Sequence, residues 1–287
     1  DLFRFWEKHG FHIVPDHFYE TIPNIQSLKD NLWQKRSKLV GIDINEENQI
    51  KLISEFYSLF KEEYDKFPKE KTSDPHQFYI NNGSFESVDC EILYCMIRYF
   101  KPKKIVETGS GFSTLLSAQA ILKNKKENNI DCELIAIEPY PWGFLKTGFL
   151  GLKKLISKKI QEIPLIEFDQ LKRNDIFFVD TSHVLKIGSD VQYLFLEILP
   201  RLNKGVIIHF HDIFIPSDYP KSWILKSYRF YNEQYLLQTF MVFNKSFEVL
   251  WAGSYMHLKN ADRLETTFKS YNRDKRWPGS FWIRRID

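Results

Sequence analysis

The chain has 287 residues, of which 43% are hydrophobic and 27% charged, a composition typical of a protein that folds around a substantial core. Its net charge of +3 arises from basic and acidic residues interspersed along the chain, which argues against a nucleic-acid-binding protein with a concentrated basic face. No apolar run reaches the length of a membrane span, and three cysteines form neither a disulfide framework nor a zinc spacing, so we expect a cytoplasmic protein.

The first 75 residues differ in character from those that follow. Residues 1–40 are irregular and rich in aromatic side chains, and residues 45–66 have the apolar periodicity of an amphipathic helix. A charged segment from Lys66 to Pro75 follows and predicts a linker. We therefore predict an N-terminal cap or lid, part helical and part irregular, over residues 1–75, and a main domain over residues 76–287.

From Lys104 onward the sequence alternates between predicted strands and predicted helices. Short apolar runs predict five strands: Ile105–Val106, Glu133–Glu138, Ile163–Phe168, Asp175–Asp180 and Gly205–Asp212. Two later runs, Phe247–Ala252 and Gly279–Arg285, predict further strands, and helices are predicted over Val88–Phe100, Asp190–Leu202 and Tyr231–Phe243. Such alternation is typical of parallel βαβ units, so we expect an α/β fold with helices on both faces of the sheet.

A glycine turn connects the first predicted strand to the helix that follows it. The turn runs from Glu107 through Gly109 and Gly111 to Thr114, and such a turn brings the backbone and the helix N-terminus close to a ligand. A dinucleotide site requires a third glycine where Thr114 stands, and the Glu107 carboxylate would repel a pyrophosphate. A carboxylate suits a cationic sulfonium, so S-adenosylmethionine (SAM) fits this turn better than NAD does. A nicotinamide-dependent oxidoreductase is the alternative.

Several longer motifs then resemble one family. They are Glu107–Thr114, Ile137–Pro141, Phe178–Val191, Gly205–Pro220 and Trp277–Arg284, together with Asn82–Asp89 and Gly41–Asn45. In these motifs the chain resembles class I SAM-dependent methyltransferases of the bacterial "methyltransferase 24" type over nearly its whole length. The resemblance implies a Rossmann-like, seven-stranded, mostly parallel sheet with an antiparallel last strand. It does not name the substrate.

The predicted cofactor site combines the glycine turn with residues at other strand ends. Glu138 ends the second strand, where an acid can accept hydrogen bonds from both ribose hydroxyls. Tyr79 and Asn82 precede the first strand, in a region that closes over the cofactor in class I methyltransferases. The residues that we predict to bind SAM are Glu107, Gly109, Ser110, Gly111, Ser113, Glu138, Pro139, Asp180, Tyr79 and Asn82.

Four polar residues follow the fourth and fifth predicted strands: Asp180, His183, His211 and Asp212. Their pattern resembles that of catechol-type methyltransferases. By this comparison Asp180 stands at the position of a metal-binding Asp, His183 at that of a catalytic Lys, and His211 and Asp212 at those of an Asp-Asn pair. We therefore predict that Asp180, His211 and Asp212 bind a divalent ion such as Mg²⁺ or Mn²⁺.

The catalytic residues predicted from this pattern are His183, Asp180 and His211, with His183 as the general base. Imidazole is a poor ligand for Mg²⁺ and suits Mn, Fe, Ni or Zn better. A mechanism without a metal, in which His183 or His211 alone is the base, is therefore the alternative.

The function predicted from the sequence is SAM-dependent O-methylation. We expect the acceptor to be a hydroxyl of a sugar, a glycan or another small molecule, because relatives of this type are associated with surface-polysaccharide and natural-product pathways. A third hypothesis is a non-enzymatic module that has kept the fold. No nucleic-acid partner is expected, and a homo-oligomer is left open.

Overall fold

The computed structural model describes residues 2–287. Their contacts form two compact units. We call residues 2–36 with residues 217–230 the small unit, and residues 37–216 with residues 231–287 the sheet unit. Among the helices of the described residues, none is both long enough and apolar enough for a membrane crossing.

The small unit contains short helical segments. They are α1 (Leu2–Glu7), two 3₁₀ turns (Ile25–Ser27 and Asp30–Gln34) and α8 (Lys221–Leu225). The indole N–H of Trp33 donates to the carbonyl of Tyr219 at 3.1 Å, and Lys221 pairs with Asp30 at 2.7 Å. These two contacts join the N-terminal part of this unit to its second segment.

The sheet unit is built on one mixed sheet, which in residues 2–287 has seven strands in the order β3-β2-β1-β4-β5-β7-β6. The strands are β1 (Lys104–Thr108), β2 (Glu133–Ile137), β3 (Leu152–Ile156), β4 (Ile176–Val179), β5 (Ile207–Phe210), β6 (Phe247–Ala252) and β7 (Phe281–Arg285). The pairs among β1 to β5 are parallel, and β7 is antiparallel to both β5 and β6. The predicted Rossmann-like sheet with an antiparallel last strand is confirmed.

Two buried clusters cover the two faces of this sheet. Side chains alternate along each strand, so Ile105 and Phe178 belong to one cluster, whereas Val106 and Phe177 belong to the other. The helices of the sheet unit are α2 (Glu46–Tyr64), α3 (Asp89–Phe100), α4 (Phe112–Asn128), α5 (Gly143–Lys146), α6 (Ile166–Asp169), α7 (Asp190–Tyr193), α9 (Glu233–Met241), α10 (Gly253–Lys259) and α11 (Ala261–Thr267). The central strands are therefore buried on both sides, which explains their nearly continuous apolar sequence.

The third strand lies at Leu152–Ile156, and the prediction of a strand over Ile163–Phe168 is wrong. β3 is the edge strand beside β2, and Lys153 and Lys154 in its centre are exposed, so its sequence lacks an apolar run. Residues 163–168 contain Pro164 and bury Ile163 and Phe168 from a turn and from α6. Their apolar character comes from packing onto the sheet.

The compact units divide the chain between residues 36 and 37, whereas the predicted cap extended to residue 75. Residues 37–75 belong to the sheet unit because α2 buries Ile53, Phe56 and Phe60 in one of its core clusters. The Gln49 side chain also accepts the backbone N–H of Ala252, at the end of β6, at 2.8 Å. That residues 1–75 act as a cap over a functional site stays a prediction.

Candidate functional site

The candidate site lies at the carboxyl ends of the parallel strands, where the strand order reverses between β1 and β4. Open α/β sheets bind ligands at such a reversal, because the loops that follow the two strands diverge there. The N–H of Asp180 donates to the carbonyl of Thr108 at 2.9 Å, and the N–H of Gly109 donates to that of Ile137 at 3.0 Å. The backbone hydrogen bonds between these strands therefore continue into the loops that form the site.

The two glycines of the turn have different structural roles. Gly109 has a φ of +76°, and a Cβ on this residue would lie 1.5 Å from the carbonyl oxygen of Asp180, which no other residue type permits. Gly111 has no heavy atom within 4 Å of the place where its Cβ would stand. Gly109 is therefore required for contact with the loop after β4, and Gly111 leaves open space at the start of α4.

Glu107 is fully buried at the end of β1. Its Oε1 accepts hydrogen bonds from the Ser113 hydroxyl at 2.5 Å and the Thr114 hydroxyl at 2.9 Å, while Oε2 has no hydrogen-bond partner within residues 2–287. Burial raises the pKa of Glu107 to about 8, and the two hydroxyl hydrogen bonds oppose this effect. The carboxyl group is thus protonated at neutral pH until a cation approaches it.

Glu138 stands at the end of β2 and is held by the backbone around it. It accepts the N–H of Ser110 at 3.2 Å and the N–H of Tyr140 at 2.8 Å. Glu138 lines a cavity of about 450 Å³ beside the turn. The residues around the cavity are Thr108, Gly109, Glu138, Pro139, Tyr140, Lys159, Ile160, Gln161, Asp180, Thr181, Ser182, Lys186, Gly188, Ser189 and Asp190.

Of the predicted cofactor residues, Gly109, Glu138, Pro139 and Asp180 line this cavity. The other residues that line the cavity have no role predicted from the sequence. Thr181 to Asp190 nevertheless belong to a motif in which the chain resembles the family. Besides that motif, the signal for Thr181 to Asp190 was that they follow β4 at the reversal of strand order.

The remaining predicted cofactor residues do not line the cavity. Ser113 binds Glu107, and the Ser110 hydroxyl is buried without a hydrogen-bond partner in the described part of the chain. The Tyr79 ring packs edge-on against Phe112, with 5.3 Å between the ring centroids. The Asn82 amide donates to the carbonyls of Tyr79 and Phe85 and accepts the N–H groups of Ser84 and Phe85, so it stabilises its own loop. Cofactor binding by these residues stays a prediction.

Two carboxylates and one imidazole converge at the ends of β4 and β5. The Nε2 atom of His183 lies 3.2 Å from Oδ1 of Asp180 and 3.4 Å from Oδ2 of Asp212. One ligand atom from each of these three residues lies within 4.8 Å of the others, and we call Asp180, His183 and Asp212 the acid–imidazole group. The predicted metal ligands included His211, but the structure brings His183 to this position instead.

His183 and Asp212 both have left-handed backbone conformations, with φ angles of +58° and +56°. Such residues cost about 1 kcal/mol or more each and persist where the surrounding structure holds them. The carbonyl of His183 accepts the N–H groups of Asn232 at 3.0 Å and Glu233 at 3.2 Å. The loop after β4 is therefore held against the start of α9, and this contact fixes the direction of the His183 side chain.

The electrostatics of the group are those of a site that holds positive charge. Burial alone would lower the pKa of His183, but hydrogen bonds to Asp180 and Glu233 and the charge of Asp212 raise it well above its usual value. Burial would raise the pKa of Asp180, but the charges of His211 and His183 hold it below its usual value. Without a bound cation, His183 is therefore an imidazolium between carboxylates.

His211 lies beside the group and not within it. Its Nε2 is 3.7 Å from Oδ1 of Asp212, its ring lies 5.0 Å from the Phe85 ring, and its Nδ1 has no hydrogen-bond partner among the described residues. Burial would lower the pKa of His211, but Asp180 and Asp212 raise it. His209, on the same strand, stacks on Phe178 at 3.9 Å, and burial together with the charge of His211 lowers its pKa well below the usual range. His209 is thus a neutral core residue.

The chain is similar to one protein-family model and to one curated protein. Residues 106–213, from β1 to just past β5, match the family model described as "Methyltransferase domain". An uncharacterized protein of Archaeoglobus fulgidus is 35% identical over 172 residues, which cover 56% of this chain and 75% of that protein.

Three solved structures are similar at lower identity. CmcI-N160 without ligand has 14% identity over 79% of this chain and 84% of its own, with a TM-score of 0.40. The same protein with SAH has 14% identity over 79% and 91%, with a TM-score of 0.38, and cmcI-D160 with Mg and SAM has 15% identity over 75% and 72%, with a TM-score of 0.35. The family therefore follows from the matched domain and the archaeal relative, together with the motifs and the strand order of the chain itself. The chain belongs to the class I SAM-dependent methyltransferases of the methyltransferase 24 type.

Proposed function

We propose that this methyltransferase transfers the methyl group of SAM to a hydroxyl oxygen of a small molecule, with a sugar or glycan as the preferred acceptor class. The observation that carries the proposal is the acid–imidazole group beside the cavity that Glu138 and Gly109 line. An attacking alcohol must lose its proton or have its charge stabilised, and carboxylates with imidazoles beside them serve that need.

The proposed cofactor position follows from charge and shape. One buried oxygen of Glu107 has no hydrogen-bond partner among the described residues, and the cationic end of SAM would supply one. Gly111 leaves open space next to it. Glu138, which lines the cavity, would accept hydrogen bonds from the ribose hydroxyls. Asp180 lines the same cavity and also belongs to the acid–imidazole group, so methyl donor and acceptor would meet beside it.

The acid–imidazole group also fits a divalent ion by the chemistry of its donors. Asp180 and Asp212 offer carboxylate oxygens and His183 offers Nε2, a mixed set that suits Mn²⁺, Fe²⁺ or Zn²⁺ better than Mg²⁺. When bound, such an ion lowers the pKa of an alcohol oxygen that contacts it. CmcI-D160 is described with Mg and SAM, but the support for an ion in this chain is its own donor set.

Different residues of the chain would then have different roles in an in-line displacement. Asp180 and Asp212 orient the acceptor hydroxyl toward the methyl carbon, which supplies the proximity on which such transfers depend. His211 lies next to Asp212, its Nδ1 has no hydrogen-bond partner among the described residues, and it would take the proton once a cation offsets the carboxylates that raise its pKa. Tyr231, whose ring lies 4.8 Å from that of His183, is the nearby aromatic side chain that would pack against a sugar.

A mechanism without a metal remains the second candidate. It requires a neutral imidazole as the base, whereas the carboxylates around His183 hold that imidazole in its protonated form. Asp180 and Asp212 raise the pKa of His211 as well, so without a cation the surrounding charges favour neither histidine as a neutral base.

Two measurements test the proposal: calorimetry with SAM, and an assay of SAH formation with a panel of acceptors. We expect SAM and SAH to bind, NAD to give no heat, and SAH to form with members of a panel of sugars and phenols. Removal of metal with EDTA and dialysis should abolish SAH formation, and Mn²⁺ should restore it. Activity that survives metal removal would leave the histidine-only mechanism, and NAD binding without SAM binding would overturn the proposal.

Glu138→Gln is expected to weaken SAM binding by about 10- to 100-fold, because a hydrogen bond to a charged group contributes about 1.5–3 kcal/mol. The substitution keeps the shape of the side chain and removes its charge. Calorimetry with SAM measures the effect. Glu133→Gln is the matched control, because Glu133 lies exposed at the opposite end of β2. Equal loss of affinity in the two variants would contradict the assignment of Glu138 to the ribose.

A further inference from the structure

Glu233 is a buried acid for which no function is predicted from the sequence. It lies in the first turn of α9, with a side chain that is 1% exposed, and its Oε2 is 2.9 Å from Nδ1 of His183. The other oxygen, Oε1, has no hydrogen-bond partner among residues 2–287. A buried carboxylate that is only half satisfied is costly, so its contact with His183 calls for an explanation.

The contact with Glu233 determines which nitrogen of His183 faces Asp180 and Asp212. The Nδ1 atom faces Glu233, and Nε2 faces Asp180 and Asp212 on the other side of the ring. An imidazole that donates Nδ1–H to a carboxylate presents the lone pair of Nε2 when it is neutral. Two carboxylates alone would repel that lone pair, so Nε2 there needs either a proton or a cation.

We propose that Glu233 is a positioning residue, which holds the proton of His183 on Nδ1 and thereby makes Nε2 a third donor to a cation shared with Asp180 and Asp212. The inference rests on the proposed function, because it concerns the same group. It goes beyond that function in assigning a role to α9. Carboxylates that orient a metal-binding histidine in this way are common in metalloproteins, and their loss costs about 10- to 100-fold in metal affinity.

The backbone supports this role independently of the side-chain contact. Both Asn232 and Glu233 donate N–H groups to the carbonyl of His183, and the Asn232 side chain accepts the N–H of Leu185 at 2.6 Å. The start of α9 therefore holds both the backbone and the ring of His183. A side chain at position 233 therefore starts from a backbone that is hydrogen-bonded to that of His183.

Two readouts test the inference without an acceptor. In protein labelled with ¹⁵N-histidine and loaded with Zn²⁺, we expect NMR to show the proton of His183 on Nδ1 and none on Nε2. In Glu233→Gln the two ring forms should mix, and the affinity for Mn²⁺, measured by calorimetry with the metal alone, should fall by about 10- to 100-fold. Glu233→Asp keeps the charge but places it farther from His183. Its Mn²⁺ affinity should lie between those of the wild type and Glu233→Gln.

The matched control is Glu63→Gln, which removes an acid that binds Arg98 at 3.0 Å and lies outside the site. It should lower the stability of the fold and leave the Mn²⁺ affinity unchanged. A wild-type His183 without a proton on Nδ1 overturns the inference, even if no Glu233 variant folds. Mn²⁺ affinity in Glu233→Gln within twofold of wild type overturns it as well. Failure of the wild type to bind SAM would instead overturn the proposed function and leave the proton position on His183 as measured.

Discussion

Asp180→Asn is expected to lower the rate of SAH formation by at least about 100-fold and to weaken Mn²⁺ binding. Asp180 lines the cofactor cavity and supplies a carboxylate to the acid–imidazole group, so the substitution removes negative charge where donor and acceptor would meet. Contributions of this size are typical of a group that assists proton removal or stabilises developing charge. The rate is measured with the best acceptor of the panel, and Mn²⁺ binding with the metal alone.

The control for charge is Asp131→Asn, since the Asp131 side chain is 82% exposed and pairs only with Lys125 among the ion pairs of the described chain. Its rate and its Mn²⁺ affinity should equal those of the wild type. SAM affinity in Asp180→Asn should change much less than the rate, because Glu107 and Glu138 are intact. A rate within threefold of wild type would show that Asp180 does not take part in the transfer.

Glu107→Gln is expected to stabilise the fold and to impair cofactor binding at the same time. The ordinary pKa of this side chain is 4.5, and burial raises it to about 8 in the folded protein. Below about pH 4.5 both the folded and the unfolded chain hold the proton. As the pH rises from there to about 8, the unfolded chain loses its proton first, so the stability contributed by this group is lost.

Glutamine imitates the protonated carboxyl group and does not titrate. The free energy of unfolding of the wild type, relative to that of Glu107→Gln, should therefore fall by about 1.4 kcal/mol per pH unit over this range, and by about 5 kcal/mol in total. Denaturant unfolding at a series of pH values measures the difference. The affinity for SAM should fall in the variant by about 10-fold or more above pH 8, where the wild-type carboxylate is charged.

Glu91→Gln separates the two effects. Glu91 is also fully buried, and burial raises its pKa, but it binds Ser270 and the start of α3 outside the site. Its substitution should change the pH dependence of stability and leave SAM binding as it is. If Glu107→Gln bound SAM as tightly as wild type at every pH, Glu107 would not face the sulfonium.

The fold could be predicted largely from periodicity, and the exceptions have physical causes. β1, β2, β4 and β5 are apolar because both of their faces are buried, and their sequences show it. β3 carries exposed lysines at the edge of the sheet, so its sequence resembles a loop. Residues 163–168 are apolar because they pack onto the sheet from a turn and from α6, and this apolar run imitates a strand.

The candidate site could be predicted only as far as the edge on which it lies. A polar residue after a strand marks that edge, and Asp180, His183, His211 and Asp212 all lie there. Which histidine points into the group depends on the left-handed turn at His183, and no local pattern shows it. Glu233 was missed because an acid in the first turn of a helix is ordinary, and its partner lies 50 residues away.

The contact between Gly109 and the Asp180 carbonyl has a consequence for engineering the enzyme. It places the turn that would hold the methyl donor in close backbone contact with the loop that carries Asp180, so a side chain at position 109 would displace both. The neighbouring Gly111 has free space around it. Libraries designed to accept bulkier sulfonium analogues should therefore vary position 111 and keep Gly109 fixed.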